Sequence, residues 1–316
     1  MRMKKRGILL INLGTPKEAT PQEVKKYLRV FLSDKRVIKT HPLIWQPVLQ
    51  GIILNTRPKK SAELYQSIWT NEGFPLLNYT LAQRDNVSKL FPDWEVEIGM
   101  SYSEPTIEQA LDNLLQKGVE DLTIIPMYPQ YSGTTVGSVF DSVMRYFIGT
   151  DKVIDMRFIR SYYDNELYIS YYAEKIKESL LHHKVDAVVL SYHGIPVSYV
   201  SDGDTYPKEC EITTQKIKEK VGGDVSFIQT YQSKFGPNEW LTPATDATLK
   251  DLPNQGIENV LVVAPGFVVD CLETIEELEE ENKGYFLENG GKEFIYLPPF
   301  NADMAFAEIV RDIVTN

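Results

Sequence analysis

The sequence predicts an α/β fold of two similar Rossmann-like lobes, each a parallel sheet flanked by helices. Three observations lead there. Short apolar runs rich in Val, Ile and Tyr alternate with helix-length amphipathic segments. The runs are apolar on both faces, as strands of a parallel sheet covered on both sides must be. The second half also echoes the first at an offset of 138 residues, from Pro105 onto Pro243. At 316 residues the chain exceeds what one hydrophobic core usually fills.

Taken in order, the first strand is 7–13. The basic start Met1-Arg-Met-Lys-Lys-Arg6 before Gly7-Ile-Leu-Leu-Ile11 looks briefly like an export signal. The apolar run is too short, and Asn12 and Gly14-Thr-Pro16 close it without a small-residue cleavage site, so it reads as a buried strand. Further strands are predicted at 94–100, 121–128, 153–159, 186–192, 225–231, 258–264 and 293–297. Helical spacing marks 107–117, 165–181, 208–220, 245–252 and 303–314. In the echo Leu111 falls on Leu249, Leu114 on Leu252 and Gly118 on Gly256, so each half carries a turn, a helix, a glycine cap and a buried strand.

The lobes are expected at 1–155 and 156–300, with 301–316 a C-terminal helix packing back on the first. The first lobe holds a long insertion, about 15–92, where its counterpart 195–224 is much shorter. This insertion carries Tyr27, Phe31, Trp45, Tyr65, Trp69, Phe74 and the apolar run Pro42-Leu-Ile-Trp-Gln-Pro-Val-Leu-Gln-Gly-Ile-Ile-Leu54. A core helix is the default reading of that run. A membrane-surface contact and a lip over a large apolar ligand compete with it.

Composition narrows the function. With 33 Lys plus Arg against 44 Asp plus Glu, the formal charge is −11, which argues against nucleic acid as the main partner. Cys210 and Cys271 are the two cysteines, too few for a disulfide framework or a four-cysteine cluster. No run of 18 apolar residues is present to span a bilayer. These features suit a cytoplasmic protein, with 42–54 as its candidate for peripheral contact at the inner membrane surface.

Active sites of such folds form at the carboxyl ends of strands. Neither a dinucleotide G-x-G-x-x-G nor a G-x-x-x-x-G-K-[ST] phosphate loop occurs. The four histidines are His41, His182, His183 and His193. The pair at 182–183 closes a helix, where a cation suits the dipole, and His41 lies in a polar loop. His193 alone ends a strand, in Leu190-Ser-Tyr-His193-Gly-Ile-Pro196, where a base or metal ligand would stand.

After the seventh strand, Glu273, Glu277 and Glu281 recur every four residues, with Asp270 three before the first. Capping plus a solvated face accounts for such a row. The alternative is a carboxylate track for a divalent cation. The strand-end loops Tyr128-Pro-Gln-Tyr131-Ser-Gly-Thr-Thr135 and Tyr231-Gln-Ser-Lys-Phe235-Gly-Pro-Asn-Glu-Trp240 would line a wide, flat, apolar pocket. One imidazole, a line of acids and that pocket together suit a macrocycle plus a metal ion.

Six segments then resemble the ferrochelatase family over nearly the whole chain. They are Leu13-Gly-Thr-Pro16, Phe31-Leu-Ser-Asp34, Tyr128-Pro-Gln-Tyr131-Ser132, Ser191-Tyr-His-Gly-Ile-Pro196, Gln232-Ser-Lys234 through Trp240, and Asp270-Cys-Leu-Glu-Thr274. The pattern is most similar to the proteobacterial branch. That resemblance implies a lyase of heme biosynthesis that inserts Fe2+ into protoporphyrin IX to give protoheme. It implies catalytic and metal-handling roles for His193 and Glu273, with Asp270, Glu277 and Glu281 as the access track. Leu13, Phe31, Tyr102, Tyr128, Ser233 and Trp240 match substrate-contacting positions, and Arg57 and Lys60 match positions near the propionates.

Fe2+ enters as substrate; no permanently bound cofactor and no iron–sulfur cluster is expected, since the C-terminal cysteines of animal relatives are absent. Phe74, Ser101 and Cys271 depart from residues found in some relatives. The alternatives are a coproporphyrin ferrochelatase, a related cobalt chelatase, and a two-lobed binder of metal or tetrapyrrole without catalysis.

Overall fold

The structure is a computed structural model that describes residues 4–234 and 236–316. Met1–Met3 of the signal-like start and Phe235 of the last strand-end loop lie outside them. The chain divides into two compact units, Met1–Ser161 with Ala302–Asn316, and Tyr162–Asn301.

Unit 1 runs β1 (Arg6–Asn12), α1 (Pro21–Phe31), α2 (Pro42–Val48), a π-helical turn (Leu49–Ile53), α3 (Leu54–Ser67) and α4 (Pro75–Leu90). It continues with β2 (Glu95–Met100), α5 (Ile107–Gln116), β3 (Asp121–Pro126), α6 (Val136–Ile148) and β4 (Asp155–Phe158). Its sheet is parallel, in the order β2-β1-β3-β4. Leu9 and Ile11 of β1 and Leu122 and Ile124 of β3 bury one face against Leu111 and Leu114 of α5 and Val139 and Val143 of α6.

Unit 2 runs α7 (Glu166–His182), β5 (Ala187–His193), α8 (Val197–Ser201), α9 (Tyr206–Val221), β6 (Ser226–Gln232), α10 (Thr245–Asp251) and β7 (Asn259–Val263). After it come α11 (Leu272–Thr274), a π-helix (Ile275–Asn282), α12 (Lys283–Glu288) and β8 (Glu293–Leu297). Its sheet order, β6-β5-β7-β8, repeats that of unit 1. The last helix, α13 (Met304–Thr315), belongs to unit 1. There Asn86 Nδ2 donates to Ala302 O at 2.9 Å and Arg157 to Val314 O at 3.2 Å.

The echo holds down to single hydrogen bonds. Met100 N donates to Pro105 O in unit 1, and Tyr231 N to Pro243 O in unit 2. Val119 N donates to Leu114 O, and Ile257 N to Leu252 O, across glycines Gly118 and Gly256 that both have φ of +84°. A left-handed residue closes each helix so that a buried strand can begin at once, and glycine takes that conformation without steric cost.

Local chemistry explains the boundaries. Thr106 and Gln109 cap α5 reciprocally, at 3.2 and 2.9 Å. Asn165 accepts from Leu167 N and Tyr168 N to start α7. In unit 1 the sequence-based assignment lacks α1, α3 and α4, which lie in the insertion, and α6 outside it. The signal for α6 is there, since Val136, Val139 and Val143 fall at helical spacing and are buried.

The default expectation for 42–54 is corrected. No residue of α2 is buried, and Leu43, Ile44 and Ile52 are 81%, 66% and 59% exposed. Only Leu49 and Leu54 reach the core. The π-helical turn between them lets one apolar stretch change faces, and His41 caps α2 by accepting from Leu43 N. Among the described residues no helix is long and apolar enough to cross a membrane.

Candidate active site

In both sheets the first strand of the unit is flanked by the second on one side and the third on the other. Chain connections therefore diverge at its carboxyl end, where α/β folds bind ligands. In unit 1 that end is Asn12-Leu13-Gly14; in unit 2 it is His193-Gly194.

Around the unit 1 end the structure gathers Leu13, Phe31 and Tyr102. Tyr102 N donates to Leu13 O at 3.1 Å, and the Phe31 and Tyr102 rings lie 5.0 Å apart at 62°. Burial, followed by the charge of Asp34, pushes the Tyr102 phenol well above its ordinary value. Its hydroxyl is fixed by donating to Asp34 Oδ2 at 2.7 Å. Asp34 also accepts from Ser138 Oγ and from Arg36 N, and Arg36 grips Asp141 of α6 through two bonds of 2.7 and 2.8 Å. Tyr128 follows β3 and packs on the same core. Arg57 and Lys60 are exposed on α3. Asp34 closes the Phe31-Leu-Ser-Asp34 motif, but pattern reading assigns it no role, because that role is set by partners 68 and 104 positions away.

In unit 2, His193 Nδ1 lies 2.7 Å from Gly194 O. A carbonyl only accepts, so Nδ1 must donate there, and whenever the ring is neutral it is Nε2 that holds the lone pair. Position 194 has to be glycine. A Cβ there would stand 2.9 Å from Gln232 O and 3.2 Å from the Trp240 ring. Trp240 is brought to that turn by a bridge to Pro196 and by Leu241 N donating to Ile195 O. A cavity of about 50 Å3 beside them is lined by Gly194, Gln232, Lys234, Trp240 and Thr242 among others.

The acidic row divides. Asp270 is 7% exposed, and its carboxylate accepts from Thr274 Oγ1, Tyr296 OH and Asn301 Nδ2 at 2.8, 2.9 and 2.6 Å. It anchors the turn into α11 instead of opening a route for a cation. Glu273 is half-buried, and its carbonyl accepts from Gln232 Nε2 at 2.7 Å. Glu277 accepts from Ser233 N at 2.7 Å, Ser233 Oγ at 2.5 Å and Gln232 Nε2 at 3.3 Å.

Burial pushes the Glu277 carboxyl up, opposed by the Ser233 bonds and by His193, with Glu273 adding to the rise. Glu281 is exposed and takes a bond from Tyr285 OH at 2.7 Å. Glu277 and Glu281 sit on a π-helix, whose wider i→i+5 turn shifts them out of the line with Glu273 of α11 that one continuous α-helix would give. Ser233, expected against substrate, instead has its hydroxyl on Glu277. Among the described residues no three His, Cys, Asp or Glu side chains form a group able to hold a metal ion. Iron at His193 and Glu273 would need ligands from outside this set, such as water or the substrate's own nitrogens.

Each of the two sheets, alike in strand order, ends its first strand at a cluster of side chains, a polar one in unit 2 and an aromatic one in unit 1. Solved structures agree on the fold. SirB from Bacillus subtilis, with Fe3+, superposes with a TM-score of 0.56 over 98% of this chain and 95% of its own, at 14% identity.

The family model described as ferrochelatase matches residues 5–316, and the chain belongs to the ferrochelatase family. It is 64% identical over 313 residues to the coproporphyrin III ferrochelatase of Enterococcus faecalis, covering 99% of this chain and 100% of that one. It is 44% identical over 316 residues to a ferrochelatase of Yersinia enterocolitica, covering 99% and 98%. This is a porphyrin metal-chelating enzyme of heme biosynthesis, with a porphyrin and ferrous iron as substrates.

Proposed function

We propose that this enzyme inserts Fe2+ into coproporphyrin III in preference to protoporphyrin IX. The observation that carries the choice is the 64% identity to a protein of that name, against 44% for the Yersinia relative. The strand-end motifs taken alone point to protoporphyrin IX. They report on the ring, which both substrates share, and say little about its rim. Coproporphyrin carries carboxylates where protoporphyrin carries vinyl groups, and exposed cations such as Arg57 and Lys60 suit carboxylate partners.

Insertion exchanges two pyrrole protons for one Fe2+, so two bases are needed and the macrocycle core stays neutral. His193 Nε2, left basic by the Nδ1 bond to Gly194 O, takes one proton. Glu273 takes the second or holds iron until the ring opens to it, with Glu277 behind it. Asp270 stands outside this path because its oxygens are already bonded. Contact of Leu13, Phe31, Tyr102, Tyr128 and Trp240 with the macrocycle bends it, so that binding energy remote from the nitrogens makes their lone pairs accessible. We also propose that α2 and the π-helical turn after it touch a membrane surface through Leu43, Ile44 and Ile52.

The test is anaerobic metalation followed by absorbance, with each porphyrin in parallel. Higher kcat/KM for coproporphyrin III is expected. An equal or reversed preference sinks the substrate assignment, and a stoichiometric spectral shift without turnover returns the binder reading. Turnover only with Co2+ and an earlier tetrapyrrole would return the cobalt chelatase.

A further inference from the structure

We propose that Gln232 is a positioning residue, tying the His193 strand to the π-helix and, with Ser233, holding Glu277 in one orientation. The inference rests on the iron-insertion reading above and adds a part to it. His193 and Gln232 are partners in the parallel β5–β6 register, and Ser191 and Thr230 are partners two residues earlier. Strand alternation therefore puts all four side chains on one sheet face. Gln232 is 3% exposed, and Ser191 and Thr230 are fully buried.

So polar a buried face is tolerable only if its groups are satisfied. Ser191 Oγ donates to Gln232 Oε1 at 2.7 Å and lies 2.8 Å from Thr245 Oγ1, which lies 2.9 Å from Thr230 Oγ1. The Gln232 amide can sit only one way. Its Nε2 faces the Glu273 carbonyl at 2.7 Å and a Glu277 carboxylate oxygen at 3.3 Å, both acceptors, so Oε1 must be the atom that meets the Ser191 hydroxyl.

Ser233 adds an independent observation. It has φ of +66°, a left-handed conformation that residues other than glycine adopt only under steric strain. In that conformation both its N–H and its hydroxyl reach Glu277. Glycine would suit the backbone better but would lose the hydroxyl bond. The strain is retained where it aims two donors at one carboxylate.

The experiment uses the full chain carrying Gln232→Met, Ser233→Gly or, as a control, Asn259→Ala. Asn259 bonds Asp186 at the amino end of β7, far along the strand from this face. Insertion of Fe2+ is measured with iron and coproporphyrin III varied separately, alongside Tm and porphyrin binding by fluorescence. For Gln232→Met we expect kcat/KM for iron to fall about tenfold or more while porphyrin Kd stays within about twofold, as suits lost hydrogen bonds to a charged group. Ser233→Gly should weaken iron use several-fold with Tm unchanged or raised. Asn259→Ala should lower Tm and leave iron dependence alone.

Wild-type iron dependence in Gln232→Met, or the same iron defect in Asn259→Ala, overturns the proposal. Should the unmutated protein metalate neither porphyrin, the iron-insertion reading fails by itself. The tie is then judged by amide exchange over 275–282: faster exchange in Gln232→Met supports it, and unchanged exchange overturns it.

Discussion

His193 gains its basic nitrogen from one backbone carbonyl, and that makes a strong prediction at the scale of single residues. His193→Ala should leave porphyrin binding largely intact and lower insertion by about 10²-fold or more, the usual contribution of a positioned base. Unchanged turnover would remove His193 from the chemistry. Glu277→Gln keeps the size of the side chain and removes its charge, so the iron concentration needed for half-maximal rate should rise while porphyrin KM holds. Equal iron dependence in the two proteins would make Glu277 a purely structural acid. Gly194→Ala is the steric counterpart. Its Cβ would meet a backbone oxygen at 2.9 Å, and backbone cannot yield as a side-chain tip can. We expect loss of about 1–3 kcal/mol of stability together with displaced His193, read by urea midpoint and by activity.

Among the elements, α2 and its π-helical extension are the least explained by packing. With α2 burying no residue, the turn after it burying only Leu49, and Leu43, Ile44 and Ile52 exposed, this stretch gains little from being folded against its own unit. Trp45 differs, because its Nε1 donates to Leu32 O at 2.6 Å and ties the helix down. Replacing Leu43, Ile44 and Ile52 with serine should reduce liposome flotation while Tm moves little. Equal recovery with and without the substitutions would end the membrane-contact reading. The second π-helix, Ile275–Asn282, shows how far pattern reading reaches: a four-residue repeat of acids identifies a helical segment but not its winding. Gln232 holds the segment from outside at the Glu273 carbonyl just before it, and within it Asn282 Nδ2 donates to the Glu277 carbonyl at 2.6 Å.

For the whole molecule, repetition is the governing fact. Both sheets share one strand order and one set of cap and turn bonds, so one solution to burying a parallel sheet is used twice. Acid sensitivity can be placed in it. Burial raises the Asp186 carboxyl, but bonds from Asn259 Nδ2 and from the N–H groups of Glu258 and Asn259 outweigh this and hold it below the usual range. A carboxylate lowered by folding stabilises fully above its unfolded pKa, about 3.9, and that contribution disappears as pH falls through the lower folded value. Urea midpoints measured from neutral to strongly acid pH should therefore drop less steeply for Asp186→Asn than for the parent chain, with lower stability at neutral pH. Parallel curves would show that Asp186 does not contribute to acid unfolding.

The eight strands, the duplicated architecture, the strand-end histidine and the motifs of the strand-end loops were legible in the sequence. Each depends on local periodicity or on residues close together in the chain. The tertiary structure alone decided what those residues face. It turned Ser233 onto Glu277, enclosed Asp270 among Thr274, Tyr296 and Asn301, left Glu281 at the surface, and brought Asp34 to Tyr102 and Ser138. Hydrogen-bond partners separated by tens of residues leave no periodic trace, because they are set by how strands and helices stack after each has formed.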